Sequence, residues 1–177
     1  MPFQWSDHVL HQNGEVTHNE FLADGPDDPR SDFVESLLSQ LRGAATVVVY
    51  SGYEESCLRG LQSALPDRSV ALEKLLSGRW VDLLEIVRGH YYQRDFRGSF
   101  SLKSVLPALA PDVAYEGLEI RGGMVASNAY LESIRPETSA PRRKKLRQDL
   151  LAYCARDTKA MLLIIDAMRG SGSSHRD

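Results

Sequence analysis

Residues 46–61, TVVVYSGYEESCLRGL, decide how this chain folds. Residues 46–50 are apolar almost throughout, which predicts a buried strand rather than a half-exposed one. Ser51-Gly52 makes a corner, and a helix over 53–65 begins on Tyr53-Glu54-Glu55. Leu58, Leu61 and Leu65 form the inward stripe of that helix. Glu54 stands four residues before Leu58 and so is expected on the same inward side, with Glu55 turned away. A carboxylate just past the C-terminal end of a core strand lies where open α/β sheets place their ligands. In the first turn of a helix it also complements the helix dipole, worth a few tenths of a kcal/mol.

Upstream, PFQWSDHVLH alternates as a strand, QNG is a turn, and EVTHNEFLA returns as the second strand of a hairpin. In DGPDDPRSDF, Asp27 or Asp28 is a cap and Pro29 a first helical residue, ahead of a helix carrying Phe33, Leu37, Leu38 and Leu41. Downstream, helices are expected over 68–77, 82–90, 101–109, 123–134 and 141–168. The order strand, strand, helix, strand, then mostly helices predicts an α/β fold with a mixed sheet of few strands. One domain is expected over 1–169, with a flexible tail over 170–177.

The 177 residues, 42% hydrophobic and 25% charged, suffice for a sizeable core. A net charge of -3 excludes a whole-surface affinity for nucleic acid, so any such binding needs a local basic patch. Cys57 and Cys154, far apart and each in an apolar pattern, read as reduced core residues. No apolar run approaches a membrane span of about 20 residues. MPFQWSDHVL lacks the pattern of a signal peptide, and a cytoplasmic location is expected.

In the last helix, Leu146, Leu150, Tyr153, Cys154, Met161, Ile164 and Met168 share one stripe, and Asp157 falls in its middle. An unpaired buried charge costs several kcal/mol. Asp157 is therefore either a structural carboxylate with a hydrogen-bonded partner or a ligand held for a metal ion. Tyr153 lies one turn before it, either a core tyrosine or a phenol that orients a water or a phosphate oxygen. Asp82 reads as a helix cap or an extra ligand. His8 and His11 face opposite ways on a strand and, with His18, read as surface histidines. The run PRRKKLR, 141–147, reads as a solvated basic face. Arg88, His90, Arg94, Arg97 and Lys103 are interleaved with Tyr91, Tyr92, Phe96 and Phe100. This is either a surface that holds single strands of DNA or RNA by stacking and phosphate contact, with Tyr92, Arg94, Arg97 and Lys103 foremost, or a polar loop over core aromatics.

The Tyr-x-x-x-Asp spacing of YCARD, 153–157, resembles the third motif of the DEDD exonucleases in their tyrosine form. VVVYSGYEESCL, 47–58, is similar to their second motif, with Ser51, Tyr53, Glu54 and Leu58 in its places and Glu where most relatives have Asp. WVDLLEIVR and GSFSLKSVLPAL resemble the intervening region. More narrowly, PFQWSDHVL, RGSFSLKSVLPAL and LLAYCARDTKAM look like a bacterial domain of unknown function, number 2779 in the usual naming, placed in this ribonuclease-H-like superfamily. The resemblance implies a ribonuclease-H-like fold and a 3′–5′ exonuclease that uses two Mg²⁺ or Mn²⁺ ions held by four acids. Glu54 would be the second-motif acid, Asp157 the third-motif acid, and Tyr153 would position the water.

The family's first motif is Asp-x-Glu on its first strand, and this sequence contains no Asp or Glu two residues from another. A ribonuclease-H-like domain truncated at its N-terminus is therefore expected: an incomplete exonuclease, inactive as this chain, with sheet edges open to a strand-supplying partner or to self-association. The alternative is a non-catalytic module that binds nucleic acid or a protein.

Overall fold

The computed structural model describes residues 1–109 and 118–171. They divide into two compact units, one of residues 1–42 and 115–158 and the other of 43–114 and 159–177, each with described residues only in the ranges above.

The first unit opens with the expected hairpin. β1 (Gln4–Leu10) pairs antiparallel with β2 (Val16–Leu22), in a register that runs from Gln4 opposite Leu22 to Leu10 opposite Val16. Gly14 takes a φ of 84°, a left-handed turn position open to glycine at little cost, and its N–H closes on the His11 carbonyl at 2.9 Å. One face of the hairpin packs on α1 (Arg30–Gln40): Phe21 meets Phe33 edge-on at 6.0 Å and Trp5 donates to Ser36 Oγ at 2.9 Å. Within α1, Phe33 and Val34 are the buried residues. α6 (Gly123–Ser133) and the early turns of α7 (Ala140–Ser171) complete this unit. Ala23, Ile120, Ala126, Ala129, Tyr130, Leu146 and Leu150 form its core, and Phe3 stacks on Tyr130 at 4.2 Å.

The basic run at the start of α7 has work inside the fold. Arg142 pairs with Glu132 at 2.7 Å. Arg143 donates to the carbonyls of Ser133, Arg135 and Thr138 at 2.8, 2.9 and 3.3 Å, capping the end of α6. Arg147 donates to the Ala23 carbonyl at 2.8 Å and the Leu22 carbonyl at 3.3 Å. Carbonyls at helix and strand ends lack partners of their own, and a charged fork supplies them. Arg143 and Arg147 are thus half-buried and structural, whereas Arg142, Lys144 and Lys145 are exposed, as expected of a solvated face.

In the second unit, β3 (Val47–Val49) pairs in parallel with β4 (Trp80–Asp82). Parallel pairing needs a long crossover, here α2 (Tyr53–Ala64) and α3 (Ser69–Leu76). α4 (Leu83–His90) follows, capped by Asp82, whose carboxylate accepts from Leu84 N at 2.9 Å. α5 (Leu102–Leu109) and the end of α7 belong here too. Leu58, Leu61, Leu72, Leu83, Val87, Phe96, Val105, Leu106 and Ile164 are among its buried side chains.

The α/β class holds. The expected single mixed sheet is replaced among the described residues by two two-stranded sheets, one antiparallel and one parallel. β4 is not among the expected elements: no element is expected at Trp80 and Val81, and Asp82 reads as the start of the helix over 82–90. α7 continues through Gly170 to Ser171, and the rest of the expected tail, 172–177, lies outside the described residues.

Arg143→Ala should lower unfolding free energy by about 1–2 kcal/mol in urea titrations, since three carbonyls lose a charged donor at once. Lys144→Ala, at an exposed neighbour, should stay within about 0.5 kcal/mol of the parent.

Candidate functional site

Tyr153 and Asp157 stand one turn apart on α7, in the first unit, and both are half-buried. Tyr153 packs against the core that includes Leu146, Leu150 and Tyr130. Burial pushes its phenol well above the ordinary tyrosine range, and the Asp157 charge and a hydrogen bond with that carboxylate push it further. The phenol therefore keeps its proton at neutral pH and holds it toward Asp157, while its oxygen retains capacity to accept from a water.

The next residue fastens this turn of the helix to the hairpin. Thr158 Oγ1 lies 2.8 Å from Ser6 Oγ and 2.9 Å from His8 Nδ1, and Ser6 Oγ lies 3.1 Å from His18 Nε2. His8 and His18 are directly opposite in the register, with ring centroids 4.6 Å apart. Sequence reasoning compared His8 only with His11 and missed this cluster. The signal was the Asn13-Gly14 turn, whose position sets which histidines face each other across the hairpin.

Glu54 lies in the second unit, in the first turn of α2 after β3. The expectation that it points inward is corrected: Glu54 is exposed, and the buried stripe of α2 begins at Leu58. Glu55 is the half-buried one, paired with Arg59 at 2.7 Å. The corner before Glu54 is strained, because Ser51 holds a φ of 138°, at a cost of about 1–3 kcal/mol for a residue with a Cβ. Ser51 Oγ accepts from Tyr53 N at 3.3 Å. The Tyr53 phenol is pushed up chiefly by its hydrogen bond with Cys57, with a smaller contribution from the Glu54 charge.

Tyr92, Arg94, Arg97 and Lys103 are exposed on the same unit. The 3₁₀ turn Arg94–Phe96 sets Phe96 into the core and leaves Tyr92 outside it, its ring 6.2 Å from that of Phe96.

The two-ion site that the resemblance implies needs a set of four carboxylates. Among the described residues no group of three or more His, Cys, Asp or Glu side chains is placed to hold a metal ion. The described residues therefore do not supply the ligand set that a pair of Mg²⁺ or Mn²⁺ ions needs for hydrolysis. A groove of about 350 Å³ on the first unit has Ile120, Ala129, Leu146 and the Glu132–Arg142 pair in its lining, and no expected site residue lines it. Among the described residues no helix is long and apolar enough to cross a membrane.

The model of a family described as Domain of unknown function (DUF2779) matches residues 1–101, more than half of the chain. The chain belongs to the DUF2779 family. No curated protein and no solved structure matches it. The DUF2779 match takes in the four strands among the described residues, Glu54, Tyr92, Arg94 and Arg97. Lys103, Tyr153 and Asp157 lie beyond its end.

A raised phenol pKa has a signed consequence for stability. The folded chain holds the Tyr153 proton more tightly than the unfolded chain, so this contribution is complete below pH about 10 and drains away as pH rises toward the native value. Tyr50, which burial pushes up to about 12, behaves the same way. In absorbance titrations of phenolate formation, Tyr153→Phe should remove one late-titrating phenol. It should also flatten the fall of melting temperature above pH 10.

Proposed function

We propose that this chain is an incomplete relative of the tyrosine-type DEDD 3′–5′ exonucleases, with a ribonuclease-H-like ancestry and without hydrolytic activity on its own carboxylates. The observation that carries this reading is the Tyr153–Asp157 pair: one turn apart on a late helix, half-buried, with the phenol bonded to the carboxylate. That is the spacing and chemistry of the third motif. Glu54, in the first turn after a parallel strand and behind a strained corner, supports the second-motif assignment. In the complete family form, Mg²⁺ or Mn²⁺ activates the water and stabilises the leaving oxygen. In this chain no acids have the Asp-x-Glu spacing that would complete such a set.

A second reading is a non-catalytic module, and the lack of a carboxylate cluster among the described residues favours it. The two part at Asp157. A vestigial metal ligand should bind Mn²⁺ weakly, and Asp157→Asn should abolish that binding. A purely structural carboxylate should bind none, and the same variant should show only as lost stability.

The test is incubation of the purified chain with an end-labelled oligonucleotide and Mg²⁺ or Mn²⁺, beside Mn²⁺ titration by magnetic resonance. The expected result is weak Mn²⁺ binding that depends on Asp157 and no progressive shortening of the oligonucleotide. Vigorous 3′–5′ digestion, lost in Asp157→Asn, would overturn the claim of inactivity. Absence of any Mn²⁺ binding would leave the non-catalytic module.

A further inference from the structure

The chain has two basic runs, and the fold treats them in opposite ways. Arg142, Arg143, Lys145 and Arg147 of the run at 141–147 are engaged with carboxylates and backbone carbonyls. In the stretch 94–103 two arginines are not engaged in this way. Among the described residues, no hydrogen bond or ion pair engages the side chain of Arg94 or Arg97. Lys103 is exposed at the start of α5, and Asp95 is the only acid between residues 91 and 103. A chain of net charge -3 thus carries a local excess of cations here.

An exposed aromatic ring precedes that charge by two residues. Tyr92 is 69% exposed. Its ring packs edge-on or tilted against two others, 6.2 Å from Phe96 and 6.4 Å from Phe100. Phe96 is fully buried, and the Phe100 carbonyl accepts from Tyr50 Oη at 2.8 Å. The shelf is anchored to the body of the unit rather than borne on a loose loop. Arg97 holds a left-handed φ of 51° that glycine would adopt without strain.

We propose that Tyr92, Arg94 and Arg97 form a binding surface for single-stranded nucleic acid. An unpaired base stacks on the Tyr92 ring while the two guanidinium groups, with Lys103, meet the flanking phosphates. A duplex hides its base faces, so the ring selects for an unpaired strand. This surface does not depend on the carboxylates discussed above and stands or falls without them.

The test is fluorescence anisotropy of the full chain with labelled oligothymidylate and oligouridylate of about 15 nucleotides, in EDTA and about 50 mM salt. EDTA removes metal from the measurement, so the result is independent of any nuclease reading. Both arms carry the same chemistry, and the tighter one identifies DNA or RNA as the strand. Tyr92→Ala should weaken binding about tenfold, and Tyr92→Phe should remain within about twofold of the parent. Arg94→Ala with Arg97→Ala should flatten the salt dependence by about 1.4 in log–log slope. Arg97→Gly should weaken binding while raising the melting temperature, because the backbone strain goes with the charge. Tyr92 is exposed, so an unchanged circular-dichroism melt of Tyr92→Ala certifies its fold. Undetectable binding, parental binding by Tyr92→Ala, preference for a duplex of the same sequence, or equal displacement by a polyglutamate peptide would each overturn the proposal. The last would assign the surface to acidic protein segments.

Discussion

Arg147 joins the end of the hairpin to the long helix. Its guanidinium donates to the carbonyls of Leu22 and Ala23 and lies 3.4 Å from Asp24, while Leu146 and Leu150 on the same helix enter the core beside Ala23. A two-stranded hairpin is marginal in water by itself and needs a helix on its face. Here α1 covers one face through Trp5, Phe21 and Phe33. The other face is held to α7 at three levels: Leu22 and Ala23 through Arg147, Gln4 through the Leu150 carbonyl, and Ser6 and His8 through Thr158. The helix positions that hold the hairpin are the same ones that bracket Tyr153 and Asp157.

What the sequence made legible follows from periodicity. The hairpin, the corner at Ser51-Gly52 and the helices came from period-2 and period-3.6 patterns, and most boundaries fell within a residue or two. Trp80–Asp82 escaped because a three-residue strand has no period to detect and its last residue doubles as a helix cap. Glu54 was assigned the right place on its helix but the wrong exposure. The face defined by Leu58 and Leu61 is buried only where something covers it, and the first turn of α2 extends past that cover. The tasks of Arg143 and Arg147 were not legible at all. Their acceptors are backbone carbonyls at element ends, which no pattern of side chains encodes.

The family assignment and the site draw on different parts of the chain. The DUF2779 match ends at residue 101, so Tyr153 and Asp157 rest on their own spacing and on the bond between them. That bond also answers the question posed by an acid on an apolar stripe: burial of Asp157 is partial, and a buried phenol offers it a proton.

The polar side of the hairpin bears on the same problem. Ser6, His8 and His18 share one face with Gln4, so the surface that meets α7 is rich in hydroxyl, imidazole and amide groups rather than in aliphatic ones. Against an aliphatic face, a helix turn bearing Tyr153, Asp157 and Thr158 would leave several polar atoms without partners, at about 1–3 kcal/mol each. Against this face Thr158 alone engages Ser6 and His8, and through Ser6 the bonding continues to His18. A shift of α7 by one residue would break these bonds together. The polar layer thus fixes the register of helix on hairpin, which a purely apolar contact between the same elements would specify less sharply.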